Sequence, residues 1–175
     1  MCNFLFIFVE GGHDELFFNK IRDIICYNQE YKYDIRIVKY QEKGNKRKID
    51  KLIKECKTKE NYGYFFISDL DSRFHTCFTS KKKYLQDKYK PLEEDKVIIA
   101  KEEIESWYFS GNKLDGFRKN GINLSYECSK EEFDEFITSK FDSKINFDLN
   151  LAFTNNESFS YFIKRLMKMG LDVLK

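Results

Sequence analysis

The chain has 175 residues, a net charge of +2 and 42% apolar residues. This length suits one domain and at most a small appendage, and the composition is that of an ordinary soluble globular protein. The near-neutral charge excludes a global basic field of the kind found in nucleic-acid-coating proteins. Binding of a polyanion therefore requires a local patch or a bound metal.

The cysteines and the first apolar segment indicate where in the cell the protein is located. No two cysteines form a C-x-x-C pair, so the spacing typical of zinc sites is absent. We expect reduced thiols at all five positions, which are Cys2, Cys26, Cys56, Cys77 and Cys128. The apolar run at 4–9 is too short to cross a membrane and lacks the charged start of a secretory signal. The sequence predicts a cytoplasmic protein without membrane association.

The first hundred residues alternate between strand-like and helix-like patterns. Strand-like segments are short apolar or alternating runs, whereas helix-like segments repeat apolar residues at intervals of three and four. The predicted strands are 3–9, 34–40, 63–68 and 97–100. The predicted helices are 13–27, 45–56, 81–89 and 102–109, followed by one opening at a capping box at 129–132 and one at 158–169.

This alternation predicts an α/β, Rossmann-like fold. We expect a mainly parallel four-stranded sheet with helices on both faces, because buried strands that alternate with helices form such sheets. Residues 1–110 are assigned to this domain and 111–175 to a mostly helical C-terminal extension packed on it. Ligands of such sheets bind at the carboxyl ends of the strands.

Carboxylates cluster at the predicted carboxyl edge. Asp69 and Asp71 follow the third strand and, being two residues apart in extended chain, face the same way. Clustered carboxylates repel one another unless a cation is present, and Mg²⁺ prefers oxygen ligands. The sequence therefore predicts a site for Mg²⁺ or Mn²⁺ that would act on phosphate. The candidate ligands are Glu10, Asp14, Asp69, Asp71, Glu103 and Glu105.

Two motifs resemble those of the Toprim family, which is shared by topoisomerases, primases and several nucleases. Residues 8–15 (FVEGGHDE) are similar to the family's strand-Glu-Gly-x-x-Asp start, and 67–71 (ISDLD) are similar to its second motif. Residues 100–108 (AKEEIESWY) look like the Glu-Ile-Glu-x-aromatic helix of OLD-type nucleases and their small stand-alone relatives. The resemblance covers roughly residues 3–109.

The resemblance implies metal-dependent cutting of nucleic acid by this Toprim-like domain. It maps Glu10, Asp14, Asp69, Asp71 and Glu105 onto metal-binding roles, with Glu103 as a second choice, and gives Glu10, Asp69 and Asp71 to catalysis. It also implies a lysine near the end of the domain, for which Lys164 and Lys168 are candidates. The glycine that often follows Asp-x-Asp in topoisomerase and primase members is replaced by Ser72. The ATPase domain usual in OLD-type nucleases has no counterpart here, so an ATPase partner would be a separate protein.

Other polar residues near these motifs are weaker candidates. His13, Arg73 and His75 lie beside the acidic turns and could contact a substrate phosphate. The basic runs 46–48 and 81–83 are more typical of solvated helix faces than of binding patches, but they could supply a positive field if they flank the acidic edge.

Three functions remain open from the sequence. The first is a nuclease or related phosphoryl-transfer enzyme acting on DNA or RNA. The second is a non-catalytic Toprim binding or regulatory module that works with a separate ATPase. The third is a small-molecule phosphatase, although haloacid-dehalogenase-type enzymes place their Asp-x-Asp after the first strand, whereas here it follows the third.

Overall fold

The computed structural model describes residues 3–28, 33–70, 74–75, 77–101, 103–111 and 147–174. The strands are β1 (Asn3–Val9), β2 (Tyr33–Lys39), β3 (Tyr62–Asp69) and β4 (Val97–Ala100). The helices are α1 (Gly12–Asn28), α2 (Lys46–Thr58), α3 (Phe78–Lys88), α4 (Ile104–Gly111), α5 (Leu149–Asn155) and α6 (Glu157–Lys168), with a short 3₁₀ turn at Glu94–Lys96. Within these ranges, no helix combines the length and the apolar character needed to cross a membrane.

The strands form one parallel sheet in the order β2-β1-β3-β4. The α/β, Rossmann-like architecture predicted from the alternation is thus confirmed. β1 pairs with β2 on one side and with β3 on the other, so Phe8 lies opposite both Val38 and Phe66. Asp69, at the end of β3, pairs with Ala100 of β4. The carboxyl ends of the strands therefore meet at one edge of the sheet.

Alternate side chains of the strands point into two separate cores. Leu5, Ile7 and Val9 of β1 belong to the same core as residues of α1 and α4, whereas Phe6 and Phe8 belong to the core that includes residues of α2 and α3. This alternation follows from the two-residue period of a strand. Because both faces are covered, the central strands are apolar along nearly their whole length, which explains the unbroken apolar runs in the sequence.

The C-terminal helices complete the first core. Phe159, Phe162 and Ile163 of α6 are buried in the same cluster as the residues of α1 and α4. The indole of Trp107 stacks on Phe162 at 5.5 Å between ring centroids and donates through Nε1 to the Ser158 hydroxyl at 2.7 Å. The described part of the C-terminal extension thus shares a hydrophobic core with the sheet domain.

Several element limits differ from the sequence prediction. α3 begins at Phe78 rather than at 81, and α5 was not predicted at all. The N-cap of α5 is Asp148, whose carboxylate accepts hydrogen bonds from the backbone N–H of Asn150 and Leu151 at 2.9 and 3.1 Å. An aspartate before a helix is a recognised start signal, but the apolar pattern of α5 is too short to stand out. The helix predicted from the capping box at 129–132 lies outside the described residues.

The end of α4 approaches α5 so closely that a side chain at Gly111 has no room. A Cβ there would lie 2.5 Å from Phe147 Cε2 and 2.9 Å from Ala152 Cβ. Gly111→Ala should therefore lower the free energy of unfolding by about 1–3 kcal/mol through overpacking. Chemical denaturation measures this change. Gly12→Ala is the matched control, because a Cβ at Gly12 meets nothing within 4 Å, and its stability should equal or slightly exceed that of wild type. Equal stability of both variants would contradict this packing.

Candidate functional site

The carboxylate of Glu10 joins the ends of β1 and β3. Its Oε2 accepts hydrogen bonds from the Ser68 hydroxyl at 2.9 Å and from the backbone N–H of Asp69 at 3.3 Å. Its Oε1 accepts from the side-chain amide of Gln41. Glu10 follows the last residue of β1 directly, so its position is fixed by the sheet as well as by these donors. The side chain is held at the edge rather than turned freely into solvent.

Asp14 shapes the turn between β1 and α1. Its Oδ2 accepts hydrogen bonds from the backbone N–H of Glu10 at 2.9 Å and of Gly11 at 3.2 Å. These N–H groups precede the first turn of α1 and have no partner within the helix, so Asp14 acts as the acidic half of a capping box. Burial raises the pKa of Asp14 to about 6, with a further contribution from the charge of Glu10, although the two backbone hydrogen bonds oppose the rise.

Asp69 is the electrostatic centre of the acidic edge. Loss of hydration raises the pKa of its carboxyl well above the usual range, and the negative charges of Asp14, Glu10, Glu105 and Glu103 raise it further, in that order. Within the described residues, no cation or hydrogen-bond donor contacts its carboxylate. Asp69 is thus a carboxylate whose surroundings oppose its own charge.

The start of α4 supplies the remaining acidic groups. Glu105, in the first turn of the helix, is 5% exposed, and its Oε1 lies 3.8 Å from Nδ1 of His13. Glu103 directly precedes the helix, where its carbonyl accepts a hydrogen bond from the Ser106 hydroxyl at 2.7 Å. Carboxylates near a helix N-terminus are favoured by the helix dipole, which offsets part of their mutual repulsion.

Tyr40 lies beneath this edge with an unsatisfied hydroxyl. Its side chain is 1% exposed and its ring lies 4.1 Å from that of Phe66, between centroids. The hydroxyl is buried beside the Ser68 side chain, which slightly opposes the rise in pKa, but no hydrogen bond of ordinary geometry joins it to the described residues. Burial raises the pKa of Tyr40 well above its usual range, and the charge of Glu10 adds to this. The phenol therefore stays protonated and can only act as a neutral donor or acceptor.

Five of the six candidate ligands lie near one another, since the charges of four of them, Glu10, Asp14, Glu103 and Glu105, all act on the carboxyl group of the fifth, Asp69. These carboxylates interact electrostatically but do not form a complete metal site. Among the described residues, no three His, Cys, Asp or Glu side chains are placed to enclose a metal ion. Asp71 and Arg73 lie outside the described residues, so a site completed by Asp71 stays a prediction.

Lys164 is not part of this group in the described portion of the chain. Its ammonium lies 5.5 Å from the centre of the Phe153 ring, which joins α6 to α5. His13, by contrast, does lie at the acidic edge, through its contact with Glu105. Of the predicted substrate contacts, His13 is therefore placed beside the carboxylates and Lys164 is placed on the helical extension.

An open cleft of about 340 Å³ begins at Glu10 and extends along α3. Its lining residues are Glu10, Gln41, Phe74, His75, Lys81, Tyr84, Leu85 and Lys88. Lys81 is only 4% exposed, so the assignment of the whole run 81–83 to a solvated helix face was wrong at this position. The reason is that Lys81 precedes the core residue Leu85 by one helical turn and shares its inward face.

Sequence reasoning missed several residues that the fold brings to this region. Ser68, Gln41 and Tyr40 are common residue types with no motif of their own. Their one sequence signal is position, because each lies within two residues of the end of a predicted strand. Comparisons with protein-family models, curated proteins and solved structures gave no match to this chain.

The raised pKa of Asp14 predicts a pH dependence of stability. The protonated form is favoured in the fold, so its stabilising effect is complete below the ordinary value of 3.8 and is lost as the pH rises through about 6. In EDTA, the unfolding free energy of Asp14→Asn minus that of wild type should increase by about 2 kcal/mol between pH 4 and pH 7. Urea unfolding at both pH values measures this difference. Asp23→Asn, at an exposed carboxylate of the same helix, should show little change. A constant difference for Asp14→Asn would contradict the assignment.

Proposed function

We propose that this chain is a Toprim-like, divalent-metal-dependent nuclease or related phosphoryl-transfer enzyme that acts on phosphodiester bonds of DNA or RNA. The cation would be Mg²⁺ or Mn²⁺, held at the carboxyl edge of the sheet. The motifs at 8–15 and 67–71 and the parallel sheet beneath them support this proposal together.

One observation carries the proposal. Asp69 lies at the end of a central strand, is surrounded by the charges of other carboxylates, and has no compensating cation among the described residues. Such an arrangement costs free energy in the absence of metal, because charged carboxylates lose hydration and repel one another. A divalent cation would remove both penalties.

The donors at this edge fit a hard cation. All of them are carboxylate oxygens, which Mg²⁺ and Mn²⁺ prefer over nitrogen or sulfur ligands. Asp69 and Glu10 would hold the ion, with Glu105 and Glu103 nearby and Asp71 following two residues after Asp69 in the chain. When bound, the ion would neutralise phosphate charge and lower the pKa of a coordinated water.

The residues around Glu10 have a positioning role in this proposal. Ser68 and Gln41 donate to the two oxygens of Glu10, which fixes the orientation of its carboxylate. Asp14 holds the backbone at Glu10 and Gly11 with one oxygen. Preorganised ligands of this kind avoid the cost of ordering side chains when the ion binds.

A second candidate function follows from the spacing of the carboxylates. Since no three of the described acidic side chains are placed to enclose an ion, the edge would also suit a Toprim-like module that binds or regulates without cutting, in company with a separate ATPase. The proposed location is the cytoplasm, where the thiols of Cys26, Cys56 and Cys77, which are free in the structure, would remain reduced.

The nuclease proposal predicts that Asp69→Asn abolishes metal-dependent cleavage. Purified protein is incubated with labelled single-stranded and duplex DNA and RNA plus Mg²⁺ or Mn²⁺, and products are resolved on denaturing gels. Loss of a ligand from the ion should reduce the rate by at least about a hundredfold. Asp87→Asn, at an exposed carboxylate on α3, should cleave as fast as wild type.

Thermal melting separates loss of the site from loss of the fold. In EDTA, Asp69→Asn should melt at the same temperature as wild type or higher, since the substitution relieves repulsion. Mg²⁺ should raise the melting temperature of wild type and of Asp87→Asn but not of Asp69→Asn, because only an intact site gains stability from the ligand. A metal-induced shift without cleavage of any substrate would favour the non-catalytic module. Absence of both would reject the metal site.

A further inference from the structure

The cleft beside Glu10 contains a buried lysine that has no partner within the described residues. Lys81 is 4% exposed, yet its side-chain ammonium forms no ion pair or hydrogen bond with the described residues. Glu10 lines the same cleft, but its oxygens accept from Ser68 and Gln41 rather than from Lys81. Most of the Lys81 side chain is removed from water, and its ammonium has no counter-ion there, so an anion in the cleft would complete its interactions.

Aromatic rings and cations alternate along the face of α3 that borders the cleft. Lys81, Tyr84 and Lys88 fall three and four residues apart and therefore share one helix face. Tyr84 is 47% exposed, and its ring lies 5.0 Å from that of His75. Phe74, which also lines the cleft, is 75% exposed. Exposed rings between cations are the pattern of surfaces that stack bases and hold phosphates of a single strand.

The size and charge of the cleft agree with this pattern. Its volume of about 340 Å³ is in the range of roughly 300–1,000 Å³ typical of small-ligand sites. The lining contains two lysines, Lys81 and Lys88, and one carboxylate, Glu10, so the formal charge of its side chains favours an anion. A duplex does not suit such a space, because its bases are already stacked and their faces are closed to side chains.

From these observations we infer that the cleft binds single-stranded nucleic acid, with a phosphate on Lys81 and Lys88 and a base against Tyr84 or Phe74. This inference rests on the proposed function in that it identifies the strand presented to the acidic edge. The lysines of α3 and Glu10 line the same cleft, so a strand held by α3 would lie beside the acidic edge.

Binding is tested without cleavage. A fluorescein-labelled oligothymidylate of twelve nucleotides is titrated with the full chain in EDTA, and anisotropy gives Kd at several salt concentrations. Lys81→Met, which keeps the length of the buried stem, should weaken binding by about tenfold or more and reduce the salt slope by about 0.7. Lys83→Met, at an exposed lysine of the same helix outside the cleft, should change Kd by less than about twofold. Lys88→Met gives a second reading in case Lys81→Met fails to fold.

The stacking of a base on Tyr84 is tested with a separate set of variants. Tyr84→Ala should weaken binding by at least about fivefold through lost stacking, and Tyr84→Phe should restore it. Tyr161→Ala, at an exposed ring on α6, should have no effect. The matching duplex should bind more weakly than the single strand, and inorganic phosphate should compete only at far higher concentrations than unlabelled oligothymidylate.

Three results would overturn the inference: no binding of the single strand, equal losses in Lys81→Met and Lys83→Met, or equal competition by inorganic phosphate, which would mean a simple anion site. The outcome is independent of catalysis. Metal-dependent cleavage with unaltered binding by Lys81→Met would leave the nuclease proposal standing and reject the cleft. If wild type binds the single strand through the cleft but does not cleave it, the cleft inference stands and the nuclease proposal is rejected.

Discussion

The parallel pairing of β1 with β3 is the constraint on which the acidic edge depends. Both strands run in the same direction, so their carboxyl ends lie at the same edge of the sheet. Glu10, which follows β1, therefore lies beside Asp69, the last residue of β3. In this register the Ser68 hydroxyl and the Asp69 N–H both donate to the Glu10 carboxylate. A slip of β3 by one residue against β1 would turn the Ser68 side chain toward the opposite core and separate the carboxylates of Glu10 and Asp69.

Such an edge is unfavourable by itself, so the rest of the molecule has to hold it. Burial and repulsion raise the pKa values of Asp14 and Asp69, which means that the charged forms lower stability near neutral pH. The two hydrophobic cores on either side of the sheet supply the opposing free energy through burial of apolar area. Strain concentrated at one edge of a well-packed scaffold is a common property of binding sites.

The aromatic content finds its explanation largely in these cores. The chain has 18 Phe and 11 Tyr, and many of the largest fully buried side chains are aromatic, among them Trp107 and Tyr40. Edge-to-face contacts such as that between Phe18 and Phe162, at 5.6 Å, link α1 to α6 across the core. Some rings lie outside the cores, and Tyr84 on the cleft side of α3 is one of them: it is half-exposed, and its ring lies beside His75 and Lys88.

The sequence by itself determined the sheet, its two covered faces and the position of the acidic residues at the carboxyl ends of β1 and β3 and at the start of α4. Periodicity carries this information, because a strand buried on both sides has to be apolar throughout and a covering helix has to repeat every three to four residues. Glu10, Asp69 and Glu105 could therefore be named before any coordinates. The start of α3 and the existence of α5 could not, since their apolar patterns are short.

Only the tertiary structure decided how far each side chain is buried and which partner it has. The carboxyl of Asp14 is buried, the side chain of Lys81 is 4% exposed, and the Tyr40 hydroxyl lies beneath the acidic edge. These degrees of burial do not follow from a local pattern, because they depend on elements that are distant in the chain. Hydration and Coulomb energies are set by what surrounds a group in space, and only the packed fold defines those surroundings.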